Sequence, residues 1–309
     1  PTDNSHHQPP DRLPVDRFPV YKEDFMFLTS YIFKSKAVRA LKGNWQTALI
    51  VSFVAGLPST LFMVLSATQI QNVPAYADLL KYDTLIAFVQ QIPSQVIWML
   101  SIAGALSFIV TPALEVGCNF YFIKRLQGED LGVMGVLSRR KLFFRALLLA
   151  VIIRVRTFLW GLLFIIPGYI AWLRYAMAPY YLAENPEMTS AEALAKSKEA
   201  MADKKLSYFM LLLSFVGWML MANVVQIALL SFGPILAMVA AQFVELFRIT
   251  YTNASVSAFY LAASRTDGIA SAKQEADRFM RQIGARMPGD TPDEEKKDDQ
   301  PGDDDGETD

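Results

Sequence analysis

Two thirds of the residues from 143 to 166 are Leu, Ile, Val or Phe, yet Arg154 and Arg156 stand in the middle of the run. An apolar stretch of this length can cross ~30 Å of bilayer hydrocarbon as a helix. A charge at mid-bilayer costs ~2.5–3.5 kcal/mol on insertion scales. Two such charges so close together must meet carboxylates, carbonyls, water or lipid phosphates. The pair therefore predicts a membrane protein with something polar in or near its membrane interior.

The rest of the chain agrees. Of its 309 residues, 53% are hydrophobic, too many for an ordinary soluble domain once the two polar ends are set aside. The expected fold is all-α: a polytopic transmembrane helical bundle of about six spans, at 46–67, 93–122, 143–166, 169–182, 207–230 and 235–263. Span 4 is short, reaching only ~20 Å at ~1.5 Å per residue. Pro167-Gly168 is read as the break that makes spans 3 and 4 a broken hairpin. Amphipathic helices are expected on the cytosolic side before span 1 and after span 4. The first, at 31–43, carries Lys34, Lys36, Arg39 and Lys42 and would lie in the interface against anionic lipid. The second follows Thr189-Ser190-Ala191-Glu192, which has the spacing of a capping box. A short interfacial helix is expected at 76–89.

Three regions follow: a disordered N-terminal tail (1–24), a helical membrane domain (25–264) and a cytosolic tail (265–309) that is acidic and disordered at its end. The first 24 residues contain no continuous apolar run, so insertion is expected to rest on the spans themselves. Orientation comes from basic residues. With six spans and both termini cytosolic, Lys124, Arg125, Arg139, Arg140, Lys141, Lys196, Lys198, Lys204, Lys205 and Arg265 all fall inside, and Lys81 alone falls outside. A five-span alternative, with spans 3 and 4 merged, would place Lys196 to Lys205 outside.

Composition also excludes chemistry. Both histidines, His6 and His7, lie in the N-terminal tail, which leaves no folded-region histidine for a triad or an ordinary zinc site. The single cysteine, Cys118, reads as a small core residue. No P-loop or dinucleotide glycine pattern is present, and Asp303-Asp304-Asp305 lacks EF-hand spacing. No enzyme, cofactor or metal is expected. The basic residues border apolar runs, which points to anionic lipid rather than nucleic acid.

Several segments carry a family likeness: Ala40-Leu41-Lys42-Gly43-Asn44-Trp45, Phe164-Ile165-Ile166-Pro167-Gly168, Tyr175-Ala176-Met177-Ala178-Pro179-Tyr180, Ala183-Glu184-Asn185-Pro186, Glu192-Ala193-Leu194-Ala195-Lys196-Ser197 and Leu213-Ser214-Phe215-Val216-Gly217-Trp218. In order and spacing, from about 38 to 264, the chain resembles an uncharacterised family of bacterial integral membrane proteins, a domain of unknown function. It is distantly similar to the membrane domain of glycerophosphodiester phosphodiesterases. The chain lacks their catalytic domain, so that activity is not implied. The resemblance implies a bacterial cytoplasmic membrane and supplies no catalytic residues.

The candidate site is the set of intramembrane charges. Arg154 and Arg156 point ~200° apart around a helix, so they cannot share one partner. Glu115 and Glu245 are candidate counter-ions, with Arg248 as an alternative partner for Glu245 three residues away; Arg174 in span 4 completes the set. These groups read either as structural ion pairs or snorkelling cations, or as a polar cavity that binds an anionic headgroup or small solute, or as a proton pathway. Asn223, Gln226 and Gln242 are expected to hydrogen-bond between helices. The leading functional expectation is a lipid-interacting scaffold or accessory subunit, with anionic inner-leaflet lipids, a protein partner or a second copy as partners. The alternative is a small-solute or peptide transporter with its site at the broken hairpin.

Overall fold

The computed structural model describes residues 22–69, 92–265 and 268–282. The expected helix at 76–89 and most of both tails lie outside the described residues. Every regular element among the described residues is helical. In chain order these are α1 (Lys22–Leu41), α2 (Trp45–Gln69), α3 (Ser94–Leu126), a 3-10 helix (Val133–Leu142), α4 (Phe143–Leu163), α5 (Ile165–Tyr175), α6 (Ala178–Glu184), α7 (Ser190–Ala200), α8 (Lys205–Leu213), α9 (Val216–Leu229), a 3-10 turn (Leu230–Phe232), α10 (Pro234–Ala263) and α11 (Gly268–Gln282).

Four stretches are long and apolar enough to cross a membrane: Trp45–Ser66, Ser94–Leu126, Val133–Leu163 and Lys205–Phe232. Most of their surface is exposed to whatever surrounds the protein, as expected where that surroundings is hydrocarbon. They correspond to expected spans 1, 2, 3 and 5.

Span 4 is not one helix. α5 has 11 residues and reaches ~16 Å. The chain turns at Ala176-Met177 and restarts as α6. Ser197 of α7 holds this turn: its hydroxyl donates to the Arg174 carbonyl at 2.9 Å and accepts from the Met177 N–H at 3.2 Å. The groups freed by the interruption are thereby satisfied deep in the protein.

The break before α5 falls at Phe164, whose backbone is extended (φ −159°, ψ 148°), and not at Pro167-Gly168. Pro167 sits in the first turn of α5, where a missing N–H leaves no intrahelical bond unmade. Gly168 lets α5 cross close to α4: a Cβ there would lie 2.7 Å from the Gly161 Cα.

α3 is the central helix, packed by α2, α4, α6, α10 and the 3-10 helix. The 3-10 helix docks on it so closely that a Cβ on Gly117 would lie 1.8 Å from the Val136 carbonyl oxygen. α6 is almost wholly buried, and its Tyr180 and Tyr181 rings pack on Tyr260 of α10 at 5.4 and 5.0 Å. Tyr208, Phe259 and Phe33 extend this aromatic layer.

Two amphipathic helices turn their apolar faces to protein. On α1, Ile32, Phe33, Ala37 and Leu41 are buried against α8, α10 and α11, so this helix turns its apolar face to the bundle. α7 starts at the expected capping box, with Thr189 as N-cap, and buries Ala193, Leu194 and Ser197.

Candidate functional site

Arg154 and Arg156 project from the middle of α4, both exposed. Two positions apart, they diverge to different neighbours as their spacing requires. The Arg154 guanidinium lies over the Phe108 ring of α3, 4.3 Å from its centroid. The Arg156 guanidinium lies 5.7 Å from the Tyr175 ring at the end of α5. Cation–π contacts of this kind stabilise by ~0.5–1 kcal/mol at exposed sites and by more where water is excluded.

Glu115 lies on α3 two turns beyond Phe108. It is exposed. Arg154 is close enough to act on it electrostatically. Glu115 and Arg154 do not close into a direct ion pair, and among the described residues neither arginine has an ion-paired carboxylate.

Glu245 is not a partner for α4. It pairs with Arg248 on its own helix, where the guanidinium Nε donates to Oε2 at 2.7 Å and Nη2 donates to Oε1. This pair is half-buried, and Glu245 lines an apolar groove of about 300 Å³ between α2 and α10. Phe53, Gly56, Val239 and Phe243 line the groove, and Gln242 reaches across to the Met63 Sδ at 3.7 Å. Arg174 contributes its backbone carbonyl to Ser197.

Of the six charges, Glu245 and Arg248 form an ion pair, Glu115 and Arg154 interact without one, Arg156 meets the Tyr175 ring, and Arg174 enters through its backbone. Asn223 does not bridge helices, since its amide donates to the Met219 carbonyl one turn back.

A polar seam runs along α3 and α10. Asn253 donates to the Cys118 Sγ at 3.7 Å. Asn119 Nδ2, Tyr121 Oη, Thr252 Oγ1 and Ser257 Oγ are buried without hydrogen-bond partners among the described residues. No group of three or more His, Cys, Asp or Glu that could hold a metal occurs among the described residues.

Lys34 occupies a position that sequence reasoning assigned to lipid. The long apolar stretch Lys205–Phe232 is interrupted at Ser214-Phe215, where α8 ends and α9 begins. The Lys34 ammonium of α1 donates to the Ser214 carbonyl at 2.9 Å and lies 4.2 Å from the centroid of the Phe215 ring. A cation here satisfies a carbonyl orphaned by the break and sits at the negative end of α8. Burial holds the Lys34 pKa below its ordinary value. The Ser and Gly in Leu213-Ser214-Phe215-Val216-Gly217 were the available signal for the interruption; nothing in the sequence pairs Lys34 with it.

Residues 162–266 match a protein family of unknown function, DUF975. The match runs from the tip of the α4–α5 hairpin to the end of α10, and it supports the resemblance to an uncharacterised family over that region. No curated protein and no solved structure matches the chain, so the similarity to the membrane domain of glycerophosphodiester phosphodiesterases has no counterpart there.

Proposed function

We propose that the protein is a non-enzymatic, lipid-interacting scaffold or accessory subunit of a bacterial cytoplasmic membrane. The reading rests on Arg154 and Arg156: two exposed guanidinium groups at the middle of a membrane-length helix, neither ion-paired with a carboxylate among the described residues. Charges so placed need an anionic partner. A lipid phosphate drawn toward Arg154 and Arg156, or a carboxylate from a protein partner or second copy, supplies one. The groove between α2 and α10 suits an acyl chain, with Glu245 in its wall.

The topology that goes with this reading has six crossings and both termini cytosolic. α5 and α6 together cross as one broken span of ~30 Å from Ile165 to Glu184, and α10 supplies the sixth. Such a topology gathers the basic residues on one side.

The test is native mass spectrometry of the protein extracted in its own lipids, wild type beside Arg154→Leu/Arg156→Leu. The expected result is a defined anionic lipid or protein retained by the wild type and lost in the variant. Equal retention by the two proteins, with equal melting profiles, sinks the reading.

A second reading, a small-solute or peptide transporter, draws on the interruptions at Phe164 and Ser214-Phe215. Discontinuous membrane helices are where transporters place substrate and coupling ions. Uptake into proteoliposomes that is lost on Lys34→Met supports it.

A further inference from the structure

Away from the intramembrane charges, α1, the end of α3, the end of α10 and the start of α11 enclose an open cavity of about 980 Å³. Among the described residues, four cations from these segments line it, Lys36, Arg39, Arg125 and Arg265, and no acidic side chain does.

Cations are ordinarily found near helix C-termini, where they offset the macrodipole and cap free carbonyls. That accounts for part of the cluster. Arg125 Nε donates to the Ala40 carbonyl at 2.9 Å and its guanidinium stands 3.6 Å from Asp130. Lys36 pairs with Glu275 of α11 at 2.8 Å. The α10 terminus is already served from outside the cavity, because Lys204 donates to the Ala263 carbonyl at 2.9 Å. Arg39 makes a single long contact, 3.3 Å to the Ser35 hydroxyl. Arg39 and Arg265 have no carboxylate partner among the described residues. Two planar, permanently charged donors therefore face an open space with their hydrogen-bonding capacity in hand. That is the residue type best suited to phosphate oxygens.

One wall is closely packed. A Cβ on Gly268 would lie 2.2 Å from the Ala262 carbonyl oxygen, so α11 starts in tight contact with α10. Ile269 and Ala272 are buried beneath it. The volume sits at the upper end of the range of small-molecule sites and far exceeds that of a bare phosphate ion. Leu126, Leu261 and Ala258 give the cavity an apolar wall beside the charges.

We propose that this cavity binds an organic phosphate. Arg39 and Arg265 hold the phosphate oxygens, Lys36 and Arg125 add positive field, and the organic body lies against Leu126 and Leu261. The phosphate can belong to an anionic phospholipid of the adjoining leaflet or to a soluble phosphate ester, which share this chemistry. The site uses none of Arg154, Arg156, Glu115 or Glu245, so it and the function proposed above can fail separately.

The experiment uses the full chain in phosphatidylcholine nanodiscs. One arm titrates phosphatidic acid and reads lipid retention by native mass spectrometry. The other titrates glycerol 3-phosphate and reads the thermal unfolding midpoint. Both arms are run on wild type, on Arg39→Gln/Arg265→Gln and on Arg154→Leu/Arg156→Leu. The expected result is saturable binding in at least one arm, weakened tenfold or more by the glutamine variant and unchanged by the leucine variant. Binding in the first arm alone names lipid as the source; binding in the second names a soluble ester. Both arginines are exposed, so the glutamine variant should fold. If it does not, Arg265→Gln alone gives the same reading. No selective binding by wild type in either arm, or equal binding by the glutamine variant, overturns the proposal.

Discussion

Gly117 shows how much a single hydrogen-for-methyl choice fixes in this bundle. The Val136 carbonyl oxygen occupies the place a Cβ would take, and because the obstacle is backbone it cannot swing aside. Gly117→Ala is expected to destabilise by ~2–3 kcal/mol, the upper part of the overpacking range, because the 3-10 helix must lift from α3. Gly161→Ala is the control: nothing lies within 4 Å of its Cβ, and helix propensity favours alanine by up to ~1 kcal/mol. Thermal unfolding in detergent should show a large fall for the first and no fall for the second. Equal effects would mean that the close contact at Gly117 does not constrain stability.

The same contrast governs what could be read from residues alone. That Arg154 and Arg156 must diverge follows from helical angle, and they do. That Arg248 could take Glu245 follows from their spacing of three, and it does. Which neighbour meets each arginine depends on how α3 and α5 pack against α4, and no local pattern encodes that. Phe108 and Tyr175 as cation partners were therefore invisible in the sequence.

Elements were legible where a local rule decides them. The box at Thr189 forms as its spacing requires: the Thr189 N–H donates to the Glu192 carboxylate at 2.8 Å and the Glu192 N–H donates to the Thr189 hydroxyl at 3.3 Å. Hydrogen bonds from the Thr189 backbone, then from its hydroxyl, hold the Glu192 pKa below its ordinary value. A carboxyl depressed in the folded state adds stability above its unfolded pKa and loses it as pH falls through the folded one. The unfolding midpoint of wild type should thus exceed that of Glu192→Gln by a constant margin near neutral pH. The margin should shrink as the solution is acidified below the ordinary carboxylate pKa. A margin indifferent to pH would remove the charge from the account.

Elements were illegible where tertiary contacts decide. The α8–α9 interruption and the α5–α6 turn are each held by a side chain distant in sequence, Lys34 and Ser197. An unbroken apolar run hides such stops. α1 carries the amphipathic pattern of an interfacial helix, but the pattern does not say whether its apolar face meets lipid or, as here, α8, α10 and α11.

At the scale of the molecule, the surface itself distinguishes a membrane protein from a misassigned soluble one. The tip of the α4–α5 hairpin presents Leu162, Leu163, Phe164, Ile165 and Ile166 together, with Phe164 74% and Ile165 86% exposed. A contiguous patch of this kind on a protein in water is an aggregation site or an interface; at the end of a membrane-length helix it is expected to be a lipid contact. The bend at Phe164 keeps the tip apolar while bringing α5 back along α4, since Gly168 admits the close approach to Gly161. Depth at this tip is directly measurable. The chain has a single cysteine, and it is buried, so Cys118→Ala provides a background on which Ile165→Cys carries one spin label. In proteoliposomes the label should collide more often with oxygen, which concentrates in hydrocarbon, than with a water-soluble nickel chelate. The opposite ratio would put the tip in water, as the lining of an aqueous path, and would move the balance from the scaffold reading toward the transporter.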